Sequence, residues 1–321
     1  MSPQERYVND LIATAQELLR DGAAVGDLKI ATGALREMHE AFKVFAAYRG
    51  TRKVSTFGSA RMQPGDPVFK LAEEFARRIA DAGYMVITGA GRGIMEACQR
   101  GAGRDRSFGV NIRLPWEQQA NTIISGDPKL MSFRYFFARK LFFLKEADAV
   151  VLFPGGFGTH DEGFETLTLL QTGKTRPMPL LLLDQPRGTY WKTWQRYVED
   201  HILRRGMIEK ADLALYKVTD SVDAAVDEIT GFYRVYHSSR YVREQFVIRI
   251  ARSLPAEFVD ALGTEFHDIV AAGGIVQRGA LRAERDEADI FHLPRLVFRF
   301  GRLDYGRLRM LIDRLNQAPI A

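Results

Sequence analysis

Short, mostly apolar segments alternate with longer segments of helical periodicity through the middle of the chain. The apolar segments lie at residues 54–57, 84–88, 108–112, 149–153 and 179–183, and we expect them to be strands. Between and after them the periodicity predicts helices at 67–82, from 93, at 131–147, after 159 and at about 190–201. Apolar strands that alternate with helices indicate a parallel sheet covered on both sides. The pattern therefore predicts a Rossmann-like, doubly wound α/β fold.

The two ends of the chain differ from this pattern. Residues 1–50 carry apolar side chains at helical spacing, which predicts an N-terminal helical extension that packs on the core or on a partner subunit. Residues 241–321 show the order β-α-β-β-α, which fits a small α+β domain of the ferredoxin-like or ACT-like kind. Residues 232–240 would link it to the main domain, residues 51–235. Fold analogy alone suggests a regulatory or an oligomerisation role for the small domain.

The composition excludes several classes of protein. Of the 321 residues, 46% are hydrophobic and 26% are charged, which is ordinary for a globular protein. No apolar run reaches membrane-spanning length, and the first residues lack the apolar core of a signal peptide. Cys98 is the only cysteine, so no disulfide can form within the chain. We therefore expect a cytoplasmic protein.

The formal net charge of +5 suits an anionic ligand, which leaves a nucleotide, a nucleic acid or an acidic surface open. Many of the arginines lie between residues 282 and 309, where acidic residues interleave with them. This arrangement indicates a solvated surface of mixed charge, and we expect no nucleic-acid partner. The sequence also has no His/Cys cluster, so we expect neither a metal nor another cofactor.

Glycine-rich turns follow three of the predicted strands. They begin at Gly58, at Gly89 and at Pro154. In an open parallel sheet, ligands bind beyond the carboxyl ends of the strands, and glycine lets backbone amides approach a phosphate closely. A single such turn is often only turn chemistry, but three at successive strand ends favour a phosphate site.

The third turn adds ionisable side chains. Thr159 is expected to begin a helix and to cap it or bind phosphate, with Glu162 on the first turn and Glu165 on nearly the same face. A carboxylate beside a phosphate is costly unless it has a function or a cation. The alternative is a helix start that simply favours acidic residues.

The segment from Pro154 to Glu162 reads P-G-G-F-G-T-H-D-E and resembles the P-G-G-x-G-T-x-x-E signature of the Lonely Guy family, whose members were long described as lysine decarboxylases. Residues 58–60, 88–97 and 138–140 are similar to further motifs of that family in the same order, so the resemblance covers roughly residues 51–235. It implies an N-glycosyl hydrolase. Such an enzyme converts nucleoside 5′-monophosphates, of the AMP or cytokinin riboside monophosphate kind, to free base and ribose 5-phosphate.

The resemblance also implies roles for single residues. Glu162 would be the catalytic carboxylate and Arg139, 23 residues earlier, its companion at the sugar or the leaving base. The further substrate-binding candidates are Gly58, Ser59, Gly89, Gly91, Gly93, Met95, Glu96, Lys140, Gly155, Gly156, Phe157, Gly158, Thr159 and Glu165. The chain departs from the family at Ala90, at residues 136–138 and at His160-Asp161, which leaves the preferred base open.

Three questions stay open at this level. A relative of the same fold could bind a nucleotide or a pterin-type cofactor without hydrolysing it, although Glu162 and Arg139 together favour an enzyme. His160 could face the base, or it could contact solvent or a neighbouring subunit. The resemblance further implies a homodimer or a higher homo-oligomer, with the N-terminal helices as candidate interface elements.

Overall fold

The larger part of the protein is built on a seven-stranded parallel sheet. The computed structural model describes residues 2–113, 119–285 and 287–319. The strands are β1 Lys53–Phe57, β2 Met85–Thr88, β3 Ser107–Ile112, β4 Leu130–Phe133, β5 Ala149–Leu152, β6 Leu180–Leu183 and β7 Lys217–Thr219. Their order in the sheet is β4-β3-β2-β1-β5-β6-β7. Because the chain moves outward from β1 first in one direction and then in the other, the sheet is doubly wound, as the sequence pattern predicts.

Helices cover both faces of this sheet. They are α2 Val25–Ala46, α3 Pro67–Asp81, α4 Ile94–Ala102, α5 Phe136–Lys145, α6 Phe157–Gln171, α7 Tyr190–Tyr197 and α8 Val222–Phe232, whereas α1 Pro3–Arg20 precedes them and buries no residue. One apolar cluster joins α2 and α5 to one face, through residues such as Phe45 and Phe142. A second cluster joins α3, α4 and α8 to the other face, through residues such as Phe75 and Ile229. Alternate side chains of β2, β5 and β6 enter opposite clusters, which explains why these strands are apolar on both faces.

A smaller antiparallel sheet follows. It contains β8 Tyr236–Val242, β9 Gln245–Ile250, β10 Val270–Arg278 and β11 Arg295–Phe300, with helices α9 Ala256–Glu265 and α10 Tyr305–Asn316. Its order is β10-β11-β9-β8, so β11 lies between β9 and β10. The run β9-α9-β10-β11-α10 is the predicted β-α-β-β-α order, a split β-α-β unit. The added strand is β8, which precedes this run and pairs with β9.

Two assignments made from the sequence are wrong. Residues 232–240 are not a linker, because α8 continues to Phe232 and β8 begins at Tyr236 and forms a hairpin with β9. The helix expected over 131–147 begins only at Phe136, because residues 130–133 pair with β3 as an edge strand. Pairing across the sheet decides both segments, and local periodicity does not contain that information.

The N-terminal extension is helical, as expected, but its two helices differ in burial. Helix α2 buries Ala34, Ala41 and Phe45, whereas α1 buries no residue. Cys98 is a free, buried thiol in α4. Among the described residues, no helix has both the length and the apolar character needed to cross a membrane.

Candidate functional site

The three glycine loops meet at the carboxyl edge of the large sheet. The amide of Ser59 donates to the carbonyl oxygen of Pro154 at 3.1 Å, and the amide of Ile94 donates to the carbonyl oxygen of Ser59 at 3.0 Å. Gly93 has a φ of +68°, and a Cβ there would collide with the backbone of Ser59. Gly58 packs equally tightly, since a Cβ on it would lie 2.7 Å from the side chain of Ile94. The first loop therefore bridges the second and the third.

The second loop is held from below by a residue that the sequence analysis missed. The side-chain amide of Asn121 donates to the carbonyl oxygens of Ala90 at 3.1 Å and of Gly91 at 2.9 Å. Asn121 is buried, and its amide also donates to Gln99. Ala90 adopts a φ of +60°, a left-handed conformation that Asn121 helps to hold. No motif marks Asn121, because it lies 31 residues from Ala90 along the chain.

The third loop starts helix α6 two residues earlier than the sequence suggests. Gly156 is the N-cap and α6 begins at Phe157, so Glu162 lies on the second turn and not on the first. Thr159 is therefore the third residue of α6 and not its N-cap. It is buried against Gly155, where a Cβ would collide with its hydroxyl. Thr159 thus shapes the loop from inside.

The start of α6 offers unpaired backbone donors. The amide of Thr159 donates to the carbonyl oxygen of Gly156 at 3.0 Å and is therefore occupied. Within the described parts of the chain, the amides of Gly156, Phe157 and Gly158 have no such partner. Space is open around the α-carbons of Gly156 and Gly158, and the side chain of Phe157 is 96% exposed. Free amides at a helix N-terminus form an arrangement that binds phosphate.

Arg139 lies on α5 beneath the second loop. Its Nε donates to the carbonyl oxygen of Val110 at 2.8 Å, and its guanidinium lies 5.0 Å from the ring centre of Phe143. A Cβ on Gly89 would lie 2.5 Å from Nη2 of Arg139 and 2.7 Å from the sulfur of Met95. Burial lowers the pKa of Arg139, and the charge of Glu162 opposes that shift. Glycine at position 89 is therefore what admits the guanidinium.

Glu162 is a nearly buried carboxylate with an unused oxygen. Its exposed fraction is 6%, and its Oε2 has no hydrogen-bond partner among the described residues. Its Oε1 lies 4.0 Å from Nζ of Lys140. Burial raises the pKa of Glu162 to about 7, against the opposing charges of Lys140 and Arg139. A buried carboxylate with a perturbed pKa near a half-buried arginine is typical of a functional site.

Lys140 holds three acidic side chains of α6 together. Its Nζ lies 2.7 Å from Asp161 and 2.8 Å from Glu165, in addition to the longer contact with Glu162. Burial favours a lower pKa for Lys140, but the hydrogen bonds to Asp161 and Glu165 outweigh it and raise that pKa. Lys140 thus remains a cation, and its ammonium group contacts Asp161 and Glu165 more closely than Glu162.

Among the candidate residues, Glu96 forms an ion pair on the surface of its own helix, α4. It contacts Arg100 one turn along α4, at 3.0 Å. A group that pairs on its own helix surface is explained without any ligand. The other candidates lie on the three loops or on the facing segments of α4, α5 and α6.

His160 contacts a residue from a distant part of the chain. Its Nε2 lies 2.7 Å from the hydroxyl oxygen of Tyr190 at the start of α7, and that hydroxyl donates to the carbonyl oxygen of Gly155. The imidazole also packs edge-on against Trp191. Burial lowers the pKa of His160. His160 therefore faces the back of the third loop.

The comparisons with known proteins agree with this arrangement in part. Residues 92–229 match the model of a family described as "Possible lysine decarboxylase". This match covers less than half of the chain and includes Arg139, Lys140 and the whole third loop. The described residues contain no group of three or more His, Cys, Asp or Glu side chains that could hold a metal ion. No match was found among curated proteins.

Solved structures of several kinds are similar to this chain. One is a structural-genomics target with 22% identity and a TM-score of 0.41, matched over 56% of this chain and 99% of that one. Another is a molybdenum cofactor binding protein from Rippkaea orientalis, with 17% identity, a TM-score of 0.39 and coverages of 56% and 94%. A third is DNA processing protein A from Helicobacter pylori, with 16% identity, a TM-score of 0.39 and coverages of 56% and 80%.

Proposed function

We propose that this protein hydrolyses the N-glycosidic bond of nucleoside 5′-monophosphates and releases a free base and ribose 5-phosphate. The observation that supports this most directly is the state of Glu162. Its carboxyl group is almost completely buried, one of its oxygens is unpaired, and its pKa is raised to about 7 by burial. Leaving such a group without a partner is unfavourable unless a ligand completes the site.

The 5′-phosphate would bind at the start of α6. The free amides of Gly156, Phe157 and Gly158 point to this position, and the helix dipole favours an anion there. The exposed side chain of Phe157 stands beside these amides. Binding by backbone amides explains why this part of the chain is built from glycines.

The glycosidic bond would then lie near Glu162. When the bond between C1′ and the base nitrogen breaks, positive charge develops on the ribose, and the carboxylate of Glu162 stabilises it. A water oxygen forms the new bond to C1′. One proton of that water is lost, and the departing base nitrogen gains one. Glu162 is suited to orient this water because one of its oxygens is unpaired.

Arg139 would act on the opposite charge. Its half-buried guanidinium lies between Gly89 and Phe143, close enough to Glu162 for the two charges to influence one another's pKa values. Negative charge develops on the base as it leaves, and a cation partly withdrawn from water stabilises it more strongly than an exposed one does. Lys140 would fix the position of α6 relative to α5 by binding Asp161 and Glu165.

The test is an incubation of the protein with AMP, GMP, CMP, UMP and a prenylated AMP, with free base and ribose 5-phosphate measured separately. Glu162→Gln keeps the shape of the side chain and removes its charge. It should lower kcat by at least about a hundredfold, which corresponds to the loss of one strong electrostatic contact to the transition state. Glu257→Gln makes the same change at an exposed glutamate of α9, whose side chain has no hydrogen bond or ion pair with any described residue, and is the matched control.

The outcomes separate the proposal from its alternative. Release of ribose 5-phosphate by the wild type and by Glu257→Gln, but not by Glu162→Gln, supports the hydrolase. A nucleotide or cofactor that binds tightly and is recovered intact would instead establish a non-catalytic carrier of the same fold. Equal turnover in the wild type and in Glu162→Gln would remove Glu162 from the mechanism.

We further propose that the partner is a small nucleotide and not a nucleic acid. The free backbone amides described at the candidate site lie at one short helix start, whereas binding a nucleic-acid backbone needs a stripe of contacts. A fluorescent single-stranded oligonucleotide titrated at two salt concentrations tests this point. Salt-dependent binding of that oligonucleotide would contradict it.

A further inference from the structure

A second recess lies at the opposite edge of the large sheet. It has a volume of about 320 Å³ and lies where β1 and β5 begin, between the last turns of α2 and α5. The candidate active site lies at the carboxyl ends of the same strands, so the two are separated by the length of the sheet. The charged residues lining the recess are Arg49, Lys53, Lys145, Glu146, Asp148 and Arg176.

The two acidic residues of the recess are already paired. Asp148 accepts from the amide of Lys53 at 2.9 Å and lies 3.3 Å from Arg52 and 3.2 Å from Arg176. Glu146 pairs with the neighbouring Lys145. The recess is lined by four cationic and two anionic side chains, and both anionic side chains already form ion pairs. The recess therefore carries an excess of positive charge.

Lys53 is buried with one donor to spare. Its side chain is 3% exposed, and its ammonium donates to the carbonyl oxygens of Tyr48 and Thr51, both at 2.8 Å. An ammonium group has three donors, and the third has no acceptor in the described part of the chain. Burial lowers the pKa of Lys53, as expected when the charge is not fully compensated.

Two arginines frame the opening. Arg49 is exposed and has no hydrogen bond or ion pair with any described residue. Arg176 uses its Nη2 on the carbonyl oxygen of Ala147 and on Asp148, which leaves its other nitrogens unpaired. Lys53 binds carbonyl groups of the turn after α2, and Lys145 pairs with Glu146, but the side chain of Arg49 has no partner among the described residues.

We propose that this recess binds a small phosphate-bearing anion, held by Arg49, Lys53 and Arg176. The cations line a concavity, so a compact polyvalent ion can meet all three, whereas a long polymer would meet only the rim. Arginine and lysine supply the charge-assisted donors that phosphate oxygens prefer. The site is distinct from the three glycine loops, and it does not depend on the proposed hydrolysis.

The experiment measures pyrophosphate binding to the full chain by isothermal titration calorimetry. The glycine loops could also bind this ion, so the loop is blocked first with Gly156→Asp. Space around Gly156 is open and its φ is −90°, so the aspartate fits and repels phosphate. In this background we expect one remaining site, which Arg49→Gln weakens about tenfold, the effect of one lost charge-assisted contact. Arg36→Gln, an exposed arginine of α2 outside the recess, is the matched control.

Each outcome decides the proposal. The proposal is supported if Gly156→Asp still binds pyrophosphate, if adding Arg49→Gln to it weakens this binding about tenfold, and if adding Arg36→Gln leaves it unchanged. Loss of all binding in Gly156→Asp shows that only the glycine loops take the ion and overturns the proposal. Equal weakening by Arg49→Gln and Arg36→Gln shows a diffuse charge effect and overturns it as well, as does binding of a single-stranded oligonucleotide without binding of pyrophosphate.

Discussion

The Nε2 of His160 lies 2.7 Å from the hydroxyl oxygen of Tyr190, and through that hydroxyl it reaches the carbonyl oxygen of Gly155. A tyrosine hydroxyl has one hydrogen to donate, and it is used on Gly155. The hydrogen between the two side chains must therefore belong to His160 Nε2. This pair links the start of α7 to the first glycine of the third loop, which would otherwise be free to turn its peptide.

We expect this link to set the affinity for the phosphate of the substrate. His160→Leu and Tyr190→Phe should each raise the KM for AMP roughly tenfold with little change in kcat, because one hydrogen bond that orients the loop is lost. His160→Gln offers a side-chain N–H at similar reach and should restore most of the affinity. The dissociation constant of AMP reports the same effect if turnover is absent.

The double variant His160→Leu/Tyr190→Phe provides the control for this prediction. Because both changes break the same link, the double variant should bind AMP no more weakly than Tyr190→Phe alone. Fully additive losses would show that the two side chains act separately and would contradict the assignment.

Glu162→Gln should make the protein more stable at neutral and alkaline pH. The folded-state pKa of Glu162 is raised to about 7 from an ordinary value of 4.5, so the folded state binds its proton more tightly than the unfolded state does. The cost of this carboxylate is absent below pH 4.5, grows as the pH rises to 7 and is complete above it. It amounts to something on the order of 3 kcal/mol. Urea denaturation of both proteins at pH 5, 6, 7 and 8 measures the difference.

The pH dependence of that difference is what identifies its cause. A stability difference that is the same at pH 5 and pH 8 would show that Glu162 does not carry a raised pKa. Glu257→Gln, an exposed glutamate of α9 measured in the same way, controls for the general effect of removing a carboxylate from a helix.

Gly89→Ala should impair activity much more than stability. The added Cβ would lie 2.5 Å from Nη2 of Arg139 and 2.7 Å from the sulfur of Met95, both at the ends of flexible side chains. These side chains can move away, so the unfolding free energy should change by about 1 kcal/mol or less. The guanidinium would leave its place beside Glu162, and kcat should fall by about tenfold or more. Gly50→Ala, where a Cβ meets nothing within 4 Å, is the control, and equal kcat values in the two variants would exclude this role for Gly89.

The exposed apolar residues of helix α1 indicate that the protein self-associates. Helix α1 buries no residue, although Val8, Leu11, Ile12 and Leu19 recur along it at helical spacing. A continuous apolar stripe of this kind normally covers another surface, and we expect a second copy of this chain. Light scattering coupled to size-exclusion chromatography should show a homo-oligomer that Leu11→Glu weakens.

The control for this prediction comes from the same helix. Ala13 lies two residues from Leu11 and therefore on the far side of α1, so Ala13→Glu adds the same charge away from the stripe. It should leave the oligomer intact. A monomeric wild type would refute the prediction, as would equal effects of the two substitutions.

The sequence by itself determined the parts of this protein that depend on local spacing. Strands that are apolar on both faces require helices on both sides, and this requirement defines the doubly wound sheet. The glycine-rich turns that begin at Gly58, Gly89 and Pro154 directly follow the predicted strands, and parallel strands place their carboxyl ends at one edge. The convergence of these loops, with Glu162 at the third, could therefore be predicted, whereas the place of Arg139 followed only from the family resemblance.

Only the tertiary structure decided what depends on contacts between distant segments. Pairing with β3 makes residues 130–133 a strand. Pairing with β9 makes β8 a strand, where the sequence predicts a linker. Gly155 packs closely against Thr159, and α6 begins at Phe157, two residues earlier than the sequence suggests. Glu162 therefore lies on the second turn of this helix. The burial that raises the pKa of Glu162 and the contact of His160 with Tyr190 likewise exist only once the chain is folded, because these interactions join residues that no local pattern connects.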